Sequence, residues 1–233
     1  MCAADLWHPA SMKRYMLAVL LLGFAATTFA ETKNELDDRV RKLMAKFDSL
    51  QDNAEARIPA EKLNKATGVI VMDRTKGGFI FGYEQGFGVA MVKKKGDWSP
   101  FSFMSSREGS FGAQVGGKST FCVILLMTEA SRDQLTNPKV NFGGEAGGTG
   151  GSNSGGVGQN FTDDPPVLVF GESKGLYGGA TIKGGNVTAD DDANQKYYGQ
   201  FYSIKDILFE KKVKPSETAT EFAKKLEAGA KGK

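Results

Sequence analysis

Short runs of apolar residues, separated by glycines and charged turns, occupy the middle of the chain. They fall at residues 69–72, 79–81 with 89–92, and 121–127. Each run is rich in β-branched or aromatic residues and is bounded by glycine or by charged residues, which is typical of strands. The pattern predicts an antiparallel β-sheet at the centre of the fold, with a core drawn from Phe79, Phe81, Val89, Met91, Trp98, Phe101, Phe103, Val123, Leu125, Val169 and Tyr197.

An amphipathic helix is predicted ahead of this sheet, within residues 35–50. Its apolar positions recur at spacings of three and four: Leu36, Val40, Leu43, Met44, Phe47 and Leu50. The polar residues around the other face include Asp37, Arg39, Lys42 and Lys46. We expect the apolar stripe to pack on the sheet, and the alternative is a helix that lies on a membrane surface.

A second helix is predicted at the C-terminal end. Thr218 and Glu221 have the spacing of a capping box. One apolar face follows, formed by Ala219, Phe222, Ala223 and Leu226. We expect this helix to pack on the domain and the basic tail after it to be frayed.

The N-terminal 30 residues are typical of an export signal. A basic start at residues 12–14 precedes an apolar stretch at 15–26, and a small-x-small cleavage pattern ends at Ala30. We interpret residues 1–11 as the product of an upstream start codon and residues 12–30 as the signal peptide. The chain is then expected to be exported, periplasmic or secreted, and peripheral association with a membrane is compatible with either location.

Composition narrows the classes of function. Loss of residues 1–30 removes two basic residues and one acidic residue, so the formal net charge falls from +3 to +2, which is too balanced for generic nucleic-acid binding. The same cleavage removes His8 and Cys2, the single histidine and one of two cysteines. A histidine-dependent triad, a histidine-ligated zinc site and an internal disulfide are then excluded, and we expect neither an enzyme nor a cofactor.

Two stretches match known binding motifs, but the sequence around each does not fit the motif. Residues 112–119 fit the phosphate-binding pattern G-x-x-x-x-G-K-S, but a strand-like run follows where that loop needs a helix. Asp190, Asp191 and Asp192 resemble the start of a calcium loop, but Gln195 replaces the required glycine. We expect a turn at the first match and a helix cap at the second, with Cys122 as a buried small apolar residue.

Two other segments leave alternatives open. The glycine-rich residues 143–158 are either a flexible loop or closely crossing strands. Lys93, Lys94 and Lys95 precede Gly96 and Asp97, which predicts a charged hairpin turn. Such a turn is commonly solvated, and the alternative is contact with anionic headgroups.

A succession of motifs from Lys65 to Gly199 resembles the SYLF (Ysc84-type) domain. The matching segments, in order, are KATGVIV, KGGFIFGYEQGFGVAMV, WSPFSF, GSFGAQVGG, ESKGLYGGATIKGG and DANQKYYG. The resemblance implies a lipid-binding module, since eukaryotic members are associated with phosphoinositides through a basic surface and an amphipathic helix. Yeast-type members are associated with actin, which an exported protein would not meet.

Carried over to this chain, the resemblance implies binding of anionic phospholipid or another amphiphile in the envelope. The expected contacts are Arg39, Arg41, Lys42, Lys46, Lys93, Lys94 and Lys95. A periplasmic structural or protein-interaction domain without a lipid ligand is the alternative. No nucleic-acid partner is expected.

We therefore expect an α+β fold: a curved antiparallel sheet, sandwich- or barrel-like, flanked by N-terminal and C-terminal helices. The predicted divisions after the signal peptide are an amphipathic helical segment at 31–64, a SYLF-like β-rich domain at 65–212, and a C-terminal helix with its basic tail at 213–233.

Overall fold

The computed structural model describes residues 31–78, 81–111, 118–137, 140–141, 165–171 and 186–232. The helices are α1 (Lys33–Asp52), α2 (Ala60–Lys65), α3 (Glu129–Asp133), α4 (Asp191–Tyr198), α5 (Ile204–Leu208) and α6 (Glu217–Ala230), with a 3₁₀ turn at Gln134–Thr136. The strands are β1 (Gly68–Gly78), β2 (Phe81–Lys94), β3 (Asp97–Trp98), β4 (Ser102–Phe111), β5 (Lys118–Leu126), β6 (Val140–Asn141), β7 (Val167–Gly171) and β8 (Asn186–Ala189).

One antiparallel sheet organises the domain. Its strand order is β6-β8-β4-β2-β1-β5-β7, and β3 pairs with the end of β2. Within the described residues the curved sheet is open, with β6 and β7 at its two edges, so it is not a closed barrel. The α+β class and the flanking helices are confirmed.

The sheet is covered by helices on both faces, which explains its unbroken apolar runs. In β1, Val69 and Val71 join one core, while Ile70 and Met72 join the other. The first core includes side chains from α1, α2, α4 and α6, and the second includes side chains from α5 and the 3₁₀ turn. A strand that is buried on both faces has no reason to alternate apolar and polar residues.

The predicted core is largely confirmed. Its buried members are Val89, Met91, Phe101, Phe103, Val123, Leu125 and Tyr197, and Cys122 is buried as expected. Trp98 and Val169 are partly buried. The side chains of Phe79 and Phe81 lie outside the described part of the structure.

The strands are longer than the apolar runs predicted. Gly86 and Gly88 lie inside the 14-residue β2, opposite Arg74 and Met72 of β1, and do not flank a strand. A Cβ atom at Gly88 would lie 2.4 Å from the Val71 carbonyl oxygen. Glycine therefore allows the two backbones to approach at this position.

The stripe of α1 packs on the sheet, as expected. All six predicted apolar residues are buried in the first core. Thr32 caps the helix and forms a capping box with Glu35. Because the stripe is already covered, α1 does not present it to a membrane in this structure.

The C-terminal helix is confirmed, but its predicted cap is wrong. Ser216 is the N-cap residue and accepts a hydrogen bond from the Ala219 amide. Thr218 lies inside the helix and is buried, with its hydroxyl directed at α1. Ser216 and Thr218 are both of a residue type that caps helices, but only Thr218 has a glutamate three residues later, so the spacing pointed to the wrong residue.

The two rejected motifs behave as their context predicted where the structure describes them. Asp190 caps α4, which ends at Gly199 with a φ of 78°. Residues from Lys118 onward form β5, a strand where a phosphate-binding loop needs a helix. The glycines at 112–117, the glycine-rich residues 143–158 and the signal segment lie outside the described residues, as do residues 1–11. No described helix is both long and apolar enough to cross a bilayer.

Candidate functional site

A hairpin with a two-residue loop connects β2 to β3 and contains the run of three lysines. We call the segment Lys93, Lys94, Lys95 and Gly96 the lysine turn. Lys94 pairs with Asp97 across the hairpin. Lys95 and Gly96 have φ angles of 55° and 94°, the left-handed pair that a type I′ turn requires. The predicted hairpin is confirmed.

The three lysines of the turn have different surroundings. Lys94 and Lys95 are exposed, and in the described part of the chain neither has an ion-pair partner. Lys93 is half-buried: its Nζ donates to the Asn64 carbonyl oxygen at 3.2 Å and lies 5.8 Å from the centre of the Trp98 ring. Lys93 therefore fastens the turn to the end of α2, and Lys94 and Lys95 leave their charges in solvent.

Of the four α1 cations that are expected to contact lipid, two point to the sheet. The Arg39 guanidinium lies 3.4 Å from the centre of the Phe87 ring. Lys46 forms a 2.6 Å ion pair with Asp73 of β1. Both side chains are half-buried, so they help to hold α1 on β1 and β2.

The other two expected lipid contacts on α1, Arg41 and Lys42, face solvent. Arg41 pairs with Asp38 at 3.2 Å between two exposed side chains. Lys42 is exposed, and its ammonium has no ion-pair partner in the described structure. Of the seven expected lipid contacts, the structure thus leaves Lys42, Lys94 and Lys95 fully available.

A buried polar cluster joins three helices, and the sequence reasoning did not find it. Asp37 accepts hydrogen bonds of 2.6 Å from the hydroxyls of Tyr197 (α4) and Thr218 (α6). Its other oxygen pairs with Lys33 at 2.7 Å. The Tyr197 hydroxyl also contacts Ser216 at 2.8 Å. Asp37, assigned to the polar face of α1, is in fact 8% exposed.

Burial and hydrogen bonding act in opposite directions on Asp37. Burial alone raises the pKa of its carboxyl, but the hydrogen bonds from Lys33, Thr218 and Tyr197 favour the ionised form and leave the pKa below its ordinary value. For Tyr197, burial is the main cause of a raised pKa, and the hydrogen bond to Asp37 adds to it. The cluster therefore holds an ionised carboxylate and a neutral phenol at neutral pH.

The three consecutive aspartates lie at an open cleft. It has a volume of about 480 Å³ and is lined by Ser105, Arg107, Thr188, Ala189, Asp190, Asp191 and Asp192. Asp190 caps α4, and Asp192 pairs with Lys196. Burial, followed by the charge of Asp190, raises the pKa of Asp191. Within the described residues no group of three or more acidic, cysteine or histidine side chains is placed to hold a metal ion.

Comparison with known proteins places these features in a family. Residues 107–229 match the family model described as "Ysc84: Las17-binding protein actin regulator". The matched segment is slightly more than half of the chain and extends from β4 to the last residues of α6.

Similar proteins occur in yeast and in mammals. Protein YSC84 of Saccharomyces cerevisiae is 30% identical over 161 residues, covering 66% of this chain and 34% of the yeast protein. LAS seventeen-binding protein 3 of the same species is 29% identical over 161 residues, covering 66% of this chain and 35% of that protein. SH3 domain-containing YSC84-like protein 1 of Mus musculus is 24% identical over 179 residues, covering 73% of this chain and 52% of the mouse protein.

The chain spans about a third of the two yeast relatives and about half of the mouse relative. The family is described by binding and regulation. The motif resemblance, over residues 65–199, and the family model, over residues 107–229, overlap at residues 107–199 and identify the same family. This chain belongs to the Ysc84 (SYLF) family.

Proposed function

We propose that this chain is a non-enzymatic binding module that associates with anionic phospholipid at the surface of the cell envelope. The observation that carries the proposal is the lysine turn, a type I′ hairpin on which Lys94 and Lys95 are exposed and have no ion-pair partner among the residues that the structure describes. Such a turn offers charge to an anionic surface without first breaking any ion pair. Lys42 and Arg41, on the outer face of α1, supply further exposed cations.

The expected attachment is weak and sensitive to salt. Each lysine near an anionic membrane contributes about 1 kcal/mol to the binding free energy, so two or three lysines alone give only weak binding. The apolar stripe of α1 cannot add to this while it is buried against the sheet. Arg39, Lys46 and Lys93 contribute to the local positive potential, but their side chains are held by Phe87, Asp73 and Asn64.

Co-sedimentation with lipid vesicles tests this proposal. The compact unit Thr32–Lys233 contains all of the described elements and both cores, so a protein of residues 31–233 is suitable. We expect it to sediment with vesicles of phosphatidylcholine mixed with phosphatidylglycerol, and not with phosphatidylcholine alone. Binding should fall between about 0.1 M and 1 M salt, where the screening length drops from about 10 Å to 3 Å. Equal binding to both vesicles, or to neither, would refute the proposal.

A protein-interaction module is the second candidate, because relatives are named for binding the protein LAS seventeen. In this reading the exposed lysines contact acidic groups on a protein partner. An exported chain would meet a partner in the periplasm or outside the cell, and actin would not be available there. A chain that binds neither type of vesicle would favour this second candidate.

A further inference from the structure

The loop between α4 and α5 carries an exposed aromatic residue. Phe201 is 60% exposed and is the one large apolar side chain that the described residues leave mainly in solvent. A single exposed apolar residue is common on protein surfaces and needs no function by itself. What distinguishes Phe201 is the way in which the structure holds it.

The residues on both sides of Phe201 are fixed. Before it, the Tyr198 hydroxyl donates to the Phe101 carbonyl oxygen at 2.5 Å, and Gly199 ends α4 with a φ of 78°. After it, Tyr202 is hydrogen-bonded to Gln200, and its ring meets that of Tyr198 edge-on at 6.3 Å. The chain is thus anchored on both sides, and the phenyl ring between the anchors stays out of the cores.

The loop lies at the same end of the sheet as the lysine turn. Phe101 immediately precedes β4, whose first residue, Ser102, pairs with Ala90 near the end of β2. β2 continues for four more residues and ends in the turn at Lys94. Within α4, the Asn194 side chain is hydrogen-bonded to Phe103, and the Tyr198 hydroxyl is hydrogen-bonded to Phe101. The helix therefore runs toward the start of β4, and the chain leaves it at this end of the sheet.

The chain then passes from one face of the sheet to the other. Tyr197 belongs to the first core and Ile204 to the second, while Tyr198 packs against both. Residues 199–203 therefore connect the two faces beside Phe101, at the start of β4, which is the end of the sheet where β2 runs on into the lysine turn. The crossing puts the exposed Phe201 ring and the two exposed cations of the lysine turn at one end of the sheet.

We propose that Phe201 is an apolar anchor that inserts into an anionic lipid surface while Lys94 and Lys95 contact the headgroups. The inference rests on the proposed function and adds a second, salt-independent contribution to it. Aromatic and aliphatic side chains that enter the headgroup and acyl boundary bind through buried apolar area, which salt does not screen. A lipid surface is the occupant that fits, because the exposed cations and the exposed ring share an end of the sheet and one extended anionic surface can contact both.

Two substitutions at Phe201 test the anchor. Phe201→Ser should weaken binding to anionic vesicles about tenfold, at low and at high salt, because the exposed part of the ring no longer leaves water. Phe201→Leu should keep most of the affinity, since it preserves an apolar side chain. The ring is outside both cores, so both variants should melt at the temperature of the unchanged protein.

A charge variant separates this inference from the proposed function. Lys94→Gln combined with Lys95→Asn removes both exposed charges, and asparagine accepts the positive φ at residue 95. If this variant loses binding while Phe201→Ser binds as the unchanged protein does, the anchor is refuted and the lipid-binding proposal stands. If the unchanged protein binds no vesicle, both are refuted. If each variant loses a part of the affinity, and only the charge variant loses its salt dependence, both are supported.

Discussion

Asp37 in the first long helix and Thr218 in the last are joined by a hydrogen bond of 2.6 Å across 181 residues of sequence. The same carboxylate oxygen accepts a hydrogen bond from Tyr197 of α4. Three of the four helices that contribute to the first core, α1, α4 and α6, thus meet at one buried carboxylate. Any release of α1 from the sheet must break this contact and also uncover the six apolar residues of its stripe.

Thr218→Val should lower the free energy of unfolding by about 1–2 kcal/mol, because valine keeps the shape of threonine and loses its hydrogen bond to a charged acceptor. Asp37→Ala should cost more, about 3 kcal/mol, because two buried hydroxyls lose their acceptor. Thr220→Val is a matched control, since Thr220 lies in the same helix and is exposed. Urea denaturation measures all three, and equal losses for Thr218→Val and Thr220→Val would contradict this account.

The Asp37 cluster should also make stability depend on pH. A carboxyl whose pKa is lower in the folded state stabilises the fold above its unfolded pKa, and the gain disappears as the pH falls through the folded value. The unfolded pKa of aspartate is about 3.9, so the gain should be complete at neutral pH and should shrink below about pH 4.

Asp37→Asn isolates this effect from those of the other carboxylates. The difference in unfolding free energy between the unchanged protein and Asp37→Asn should be largest near neutral pH and should narrow in acid. Denaturation at a series of pH values gives the difference directly. A gap that stays constant from neutral pH down to about pH 2, well below the unfolded pKa of 3.9, would show that the charge of Asp37 is not what stabilises the cluster.

Gly88→Ala should destabilise the β1–β2 pair strongly. The added Cβ would meet the Val71 carbonyl oxygen at 2.4 Å, and that atom belongs to the paired backbone. At Gly86 the nearest atoms belong to side chains and lie 3.1–3.2 Å away, so Gly86→Ala is the natural control. We expect a loss of about 3 kcal/mol or more at residue 88 and about 1 kcal/mol at residue 86. Equal thermal shifts for the two variants would contradict the close approach of the backbones.

Much of the fold was predictable because its signals are local. The periodic apolar stripe of α1 and the run Lys-Lys-Lys-Gly-Asp each specify an element through neighbouring residues alone. The strands were recognisable from their β-branched runs. Their full length was not, because Gly86 and Gly88 resemble strand ends until the close approach to β1 is seen.

The site residues depend on contacts between distant parts of the chain, and sequence spacing carries little information about them. Arg39 and Lys46 belong to the polar side of α1, yet they are held by Phe87 and Asp73 on the sheet. Asp37 follows the buried Leu36 at the edge of the stripe, and its partners are 160 and 181 residues away. A helical wheel shows which residues of α1 lie outside the apolar stripe. It does not show which of these side chains contact another helix or strand.

The most direct test of the central claim is a titration of vesicle binding against the fraction of anionic lipid. Three proteins are compared: the unchanged residues 31–233, the variant with Lys94→Gln and Lys95→Asn, and a control with Lys211→Asn and Lys214→Gln. The control removes two exposed charges elsewhere, and Lys211, like Lys95, has a positive φ of 53°. We predict that affinity rises with anionic lipid for the unchanged protein and the control, and stays low for the turn variant. Equal affinities for the turn variant and the control would contradict the assignment of lipid binding to the lysine turn.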